Sequence, residues 1–403
     1  MKKIIFQLLI WVLIIGCKTE ADVEPASGTF LRYFGSENNQ YAILAMEAGN
    51  GYSLLSNIEI QKGATEVDFK IRLTHTDQNG NFLWEKSFPA FVKDENEEGS
   101  ARGFSFIQLA NSGYLIVGDW IKSNGTSELL LLRTDSEGNM QDSVTISAKE
   151  ALPALPATAS LLGRAVIETI DENGAPLFVA LAQIEKNGST NSDMLVAQIN
   201  IADLSIGWVR GYGAGASSLI NKLYTNVNKN LFWAGSVGTV QHDVRLIEAP
   251  ANSESTIIGT PLVTSVDEFA TDFCPTAGGW AFTGSTNKSG NDNIYLLKVT
   301  SDSRIVYEQE ITPVIGSEID PELNDRGSSI CQGIDGGLMI LGTIETEASL
   351  RDLFLVRVDG LSGSPIWKKK FGGANNEEGA SVRITSDSHY LIFGTVTFGR
   401  SRK

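Results

Sequence analysis

The chain has 403 residues and a formal net charge of −16, with no basic run, so phosphate backbones repel it and nucleic acid is a poor partner. Its 40 Gly, 18 Phe and 7 Trp against only 5 Met, with abundant Ser, Thr and Asn, exclude a helix-rich protein and describe many short strands joined by turns. The length fits two or three ordinary domains, or one large all-β domain built from many similar units.

Residues 1–17 open with Lys2 and Lys3, continue as an apolar run from Ile4 to Ile15 broken only by Gln7, and end Gly16-Cys17. The run is shorter than the roughly 20 apolar residues a membrane-spanning helix needs, and its order of charge, apolar core and small residue is that of a secretory signal. Ile14-Ile15-Gly16-Cys17 resembles the lipobox of bacterial lipoproteins. That resemblance implies cleavage before Cys17, with residues 1–16 removed, and lipidation of Cys17. Loss of the two lysines takes the charge from −16 to −18. A body so acidic is not drawn to anionic headgroups, so the membrane is reached through acyl chains, which hold stably only when there are at least two. Residues 17–28 then form the lipidated Cys and a flexible acidic linker, and residues 29–403 a single domain. Lys18 stands where an aspartate would resemble an inner-membrane retention signal, which favours anchoring in the outer membrane, on its periplasmic face or at the cell surface.

Seven copies of one strand pattern, an aromatic or leucine followed by apolar residues and usually Gly, start at Tyr52, Tyr114, Leu177, Leu231, Trp280, Leu338 and Tyr390. Their spacings of 62, 63, 54, 49, 58 and 52 residues suit units of four short strands with turns. Ahead of most copies lies another strand, joined through turns such as Asn111 to Gly113 and Asp335 to Gly337, so strands one and two of a unit form a hairpin. A third strand opens on an acid or Asn, as at Asp68, Glu128, Asp193, Asp243, Asn293 and Asp352, and that residue is expected to cap its own turn. A fourth carries two aromatics four apart, Trp84 and Phe88, Trp208 and Tyr212, Trp367 and Phe371, which face one side and pack on a neighbouring sheet. FLRYFG at residues 30–35 repeats that interval with no unit before it, while the seventh unit has only its first two strands before Lys403. Pairing the two closes a ring and removes exposed sheet edges.

The succession of DGG, a GYxIxG-like strand, DxxLxKxD, Trp and FGG resembles the propeller repeats of secreted and lipidated proteins of Bacteroidota. It implies an all-β propeller, most simply of seven blades of mostly four antiparallel strands, and a monomeric ring. It implies no activity.

Chemistry-bearing residues are sparse. His75, His242 and His389 fall in different units without metal-ligand spacing and read as turn or surface residues, so no metal and no cofactor is expected. Cys274 and Cys331 lie in the first strands of units five and six, where two buried thiols fit better than a disulfide. Glu97-Glu98 and Glu377-Glu378 read as loop charge, the loop at residues 287–293 lacks EF-hand spacing, and GYGAG at residues 211–215 lacks the Lys of a phosphate loop. No catalytic residue is assigned. The expected role is a non-enzymatic envelope lipoprotein whose ring binds a protein or a glycan. A propeller-type glycosidase or polysaccharide lyase is the alternative, since catalytic residues from several blades can converge in space, and a part in outer-membrane assembly is the third.

Overall fold

The computed structural model describes residues 30–397, apart from 36–37, 64–65, 89–99, 172, 187, 190–191, 239–241, 251–260, 263–266, 314–322, 347–349 and 374. Residues 1–16, expected to be a signal, Cys17, the expected linker to residue 28, Glu97 and Glu98 lie outside the described residues.

Each unit folds as an antiparallel meander. Unit one is β1 (Gln40–Ala48), β2 (Gly51–Gln61), β3 (Val67–Asp77) and β4 (Phe82–Phe88); unit two is β5 (Ser100–Gln108), β6 (Tyr114–Ile121), β7 (Ser127–Thr134) and β8 (Met140–Ile146). A four-residue helix α1 (Ala148–Ala151), capped by Ser147 and Glu150, leads to unit three: β9 (Ser160–Ile170), β10 (Pro176–Glu185), β11 (Ser192–Ile199) and β12 (Ile206–Leu219). Unit four follows with β13 (Tyr224–Thr225), β14 (Asn230–Val237), β15 (Asp243–Pro250) and β16 (Pro261–Leu262). Unit five is β17 (Glu268–Thr276), β18 (Gly279–Thr286), β19 (Asn293–Thr300) and β20 (Ile305–Ile311); unit six is β21 (Arg326–Gln332), β22 (Leu338–Glu345), β23 (Arg351–Val358) and β24 (Pro365–Phe371). Unit seven comprises β25 (Asn376–Ile384) and β26 (Tyr390–Thr397). All seven expected anchor residues lie at or next to the start of a second strand.

The fold is the expected all-β propeller, but the blade count is corrected. Among the described residues the strands form six hydrogen-bonded sheets rather than seven, four of four strands, one of eight and one of two. The reason is β12, which pairs with β11 as the last strand of unit three and then runs on to pair with β14 of unit four. Units three and four therefore share one double-width blade.

Ring closure is corrected as well. Residues 30–35 form no strand with β26. The ring of Phe30 instead lies where a Cβ on Gly80 would stand, as Trp84 does at Gly138 and Tyr307 at Gly363. Phe30 thus holds the place of a fourth-strand aromatic without a ladder beside it. Closure comes from β25 and β26 packing on β1.

That closing junction uses the same bonds as its neighbours. Val382 N–H donates to Ser329 Oγ (3.1 Å) and Gly379 N–H to Thr343 Oγ1 (3.1 Å) between units six and seven. Between units seven and one, Ala45 N–H donates to Ser381 Oγ (3.0 Å) and Ala42 N–H to Thr395 Oγ1 (2.9 Å). Apolar second and third strands fill the space between blades: Leu115, Ile116, Val117, Leu129 and Leu131 are fully buried, as expected of strands covered on both faces.

Candidate functional site

The first strand of every unit but the fourth carries a register shift against its second strand, one residue after the small residue that begins its inner half. Ile43, Phe104, Arg164, Thr271, Ser328 and Ala380 are the extra residues. Such a bulge turns the strand and re-aims the side chains beyond it. Three residues past the bulge the register places Met46, Ile107 and Ile167 in units one to three. In the other units the equivalent place is held by Tyr224, Cys274, Cys331 and Arg383. One arc of the innermost layer is therefore apolar and the other polar.

The polar arc converges. The Asp272 carboxylate, 3% exposed, accepts from Lys222 Nζ (2.6 Å), Ser329 Oγ (2.7 Å), the Ile330 N–H (2.8 Å) and its own neighbour Phe273 N–H (2.8 Å). It stands at the register position of Ser329 and Ser381 and makes the same bond to the next unit, with Lys222 added. Tyr224 donates to the Phe273 carbonyl (3.1 Å) and packs edge-on against the Phe273 ring. Burial pushes the Tyr224 ionisation up, and the charge of Arg383 is felt by Tyr224 and Asp272 across the layer. Units four and seven thus meet across the inner layer. Lys222, Tyr224 and Arg383 are half-buried.

Cys274 and Cys331 are free, buried thiols between these groups. Burial raises both, Cys331 to about 11 and Cys274 further, which keeps them protonated and inert at neutral pH. The sequence pointed to the two cysteines but missed Lys222, Tyr224, Asp272 and Arg383. One signal could have found Arg383: aligned on Ala270, Gly327 and Gly379 rather than on the second strand, it falls four residues later, as Cys274 and Cys331 do.

The remaining candidates separate. Among the described residues no group of three or more His, Cys, Asp or Glu could hold a metal ion. His75, expected on a turn or the surface, sits within β3, stacked on Trp84 at 5.2 Å and hydrogen-bonded to Ser53 Oγ (2.9 Å); burial lowers its pKa. His242 pairs with Asp267 (2.7 Å) and His389 with Asp387 (3.0 Å). Glu377 and Glu378, expected in a loop, belong to β25. Burial raises the Glu377 carboxyl beside Asp352, while Glu378 joins Arg326 and Arg351. GYGAG is part of β12.

No family model matches the chain, and no curated protein does. Solved structures do. A Trypanosoma rangeli sialidase in complex with the inhibitor DANA is 14% identical with a TM-score of 0.51, over 80% of this chain and 55% of its own. The periplasmic gluconolactonase PpgL of Pseudomonas aeruginosa is 10% identical with a TM-score of 0.49, over 80% of this chain and 83% of its own. The chain thus spans about half the length of the sialidase it matches. At these identities the likeness is one of fold.

Proposed function

We propose that the protein is a lipid-tethered component of a bacterial cell envelope whose propeller is a binding platform for a protein or a glycan, without catalysis of its own. The observation that carries the non-enzymatic part is the saturation of Asp272. General acid or base work needs a carboxylate with a free lone pair or proton facing the substrate. Both Asp272 oxygens are taken up by Lys222, Ser329 and two backbone amides, and its neighbours Cys274 and Cys331 stay protonated. The tether rests on the lipobox-like end of residues 1–17, and the outer membrane is its destination.

The competing reading is glycoside hydrolysis, favoured by Arg383 and Tyr224 standing in one inner layer and by the sialidase fold likeness. One set of measurements separates them. Cells producing the tagged protein are cross-linked at the surface and in the periplasm, and the purified protein is incubated with sialosides, other envelope glycans and lactones. A stoichiometric cross-linked partner, or glycan retention without turnover, supports the platform. Turnover that disappears in Tyr224→Phe overturns it. Cys17→Ser is expected to move the protein from the membrane fraction to the soluble periplasm, and retention in the membrane would sink the tether.

A further inference from the structure

Among the described residues, unit seven has its first, second and fourth places filled but not its third. Strands β25 and β26 take the first two, and no described strand pairs with the far edge of β26. Phe30 takes the place of a fourth-strand aromatic. Its ring lies against Gly80 and 5.8 Å from Tyr52 in unit one, as Trp84 lies against Gly138 and 6.1 Å from Tyr114 in unit two. By the equivalence of the units, the place between β26 and Phe30 is one strand wide. Ile392 marks the opening. The residue two after the anchor is at most 6% exposed in the other six units, as Leu54, Ile116, Val179, Trp233, Phe282 and Ile340, whereas Ile392 is 38% exposed. No residue of β26 is buried, while β22 is buried along all but its last residue. The place also continues an interface that runs around the ring: third strands send an apolar side chain onto the following unit, Ile71 against Gly103, Leu129 against Gly163 and Leu353 against Gly394.

We propose that the far edge of β26 is a docking site for an extended apolar segment of another protein, which completes the sheet of unit seven as its third strand. The segment is about eight residues long, the length of β7, β11, β15, β19 and β23, and apolar on both faces as they are. An unpaired strand edge is a template for such addition. Backbone hydrogen bonds to alternate residues of β26 supply affinity, and side chains that cover Ile392 and reach β1 select the segment. Neither KTEADVEPASGT at residues 18–29 nor FGRSRK at residues 398–403 has the apolar run of a third strand, so the donor is a partner chain. The site rests on the platform reading and adds the form of its partner. An edge that takes no strand would leave partners or glycans held by the loops of the ring untouched.

The test uses a fluorescent synthetic peptide with the sequence of residues 350–359, LRDLFLVRVD, which copies the third strand of unit six and whose charges balance. It is added to the purified chain and followed by anisotropy, with hydrogen exchange read along β26. Saturable binding is expected, with exchange at alternate amides of β26 slowed at least tenfold. A peptide with proline in place of its copy of Leu355 should bind at least tenfold more weakly, since proline cannot donate to the ladder. Ile392→Glu should weaken binding of the unchanged peptide as much, while Val227→Glu, at a site 95% exposed in unit four, should bind like the parent. Absence of saturable binding, or binding that the proline peptide retains, overturns the proposal. So does a peptide-free chain in which β26 is as protected as β22: protection independent of protein concentration would give the place to this chain's own residues, and protection that grows with concentration to a second copy. If Ile392→Glu does not fold, the proline peptide and the exchange of β26 decide it.

Discussion

At the scale of single residues, ionisable groups are spent on one another. Asp272 shows the cost of undoing that. Asp272→Ala strands Lys222, whose side chain is 11% exposed, and is expected to destabilise by about 3–5 kcal/mol, the price of an unpaired buried charge. Denaturant midpoints should show Lys222→Met recovering most of the loss in the double variant. The two thiols make a pH prediction. A thiol raised in the folded state binds a proton that the unfolded chain releases above pH about 9, so its contribution is complete below that and is lost as pH climbs through its folded value. For Cys331 that value is about 11. Stability should fall between pH 9 and 11, and Cys331→Ala should flatten the fall; an unchanged slope would remove the thiol as its cause. The acid opening each third strand was expected to cap its own turn. Instead Asp68 pairs with Lys62 (2.5 Å), and Glu128 and Asp193 pair with Lys122 and Lys186. The lysine comes from the loop just before, so the acid staples a crossing rather than a turn.

At the scale of elements, glycines in the second strands mark where the first-strand bulge presses closest. A Cβ on Gly284 would stand 1.8 Å from the Phe269 carbonyl oxygen, and on Gly118 1.9 Å from that of Arg102. At Gly342 the nearest atoms, Ile294 Cδ1 and the Arg326 oxygen, are 2.8 and 2.9 Å away. Gly284→Ala and Gly118→Ala should therefore each cost more than Gly342→Ala, by about 1–3 kcal/mol for an overpacked site. Thermal midpoints that rank Gly342→Ala as the worst would contradict this. Fourth-strand aromatics follow the same neighbour logic. Trp84 rests on Gly138 and meets Tyr114 edge-on at 6.1 Å. Trp367 is 37% exposed, and among the described residues no glycine of unit seven lies against it as Gly138 does against Trp84. Packing on the next sheet was legible from the four-residue interval for Trp84 but not for Trp367, since sequence periodicity gives the side a residue faces and not what waits there.

At the scale of the whole molecule, the ring closes with ordinary junction chemistry. If β25 and β26 are held to β1 as they are to unit six, then Ser381→Ala should cost about 1 kcal/mol, the worth of one hydrogen bond, and Ser329→Ala at least as much, since Ser329 also donates to Asp272. Native-state hydrogen exchange at Ala45 and Val382 should show each loss locally; exchange unchanged at both would mean that side-chain acceptors do not hold the junctions. The repeat anchors, the hairpins and the all-β class were fixed by local rules, with strand period and turn chemistry acting within a few residues, and so the sequence alone determined them. The sharing of one sheet by units three and four, the failure of residues 30–35 to pair and the placing of Tyr224 and Arg383 in one inner layer were decided only in the tertiary structure. Each depends on where a strand's edge lies relative to another unit, and a one-dimensional pattern carries no distance between edges.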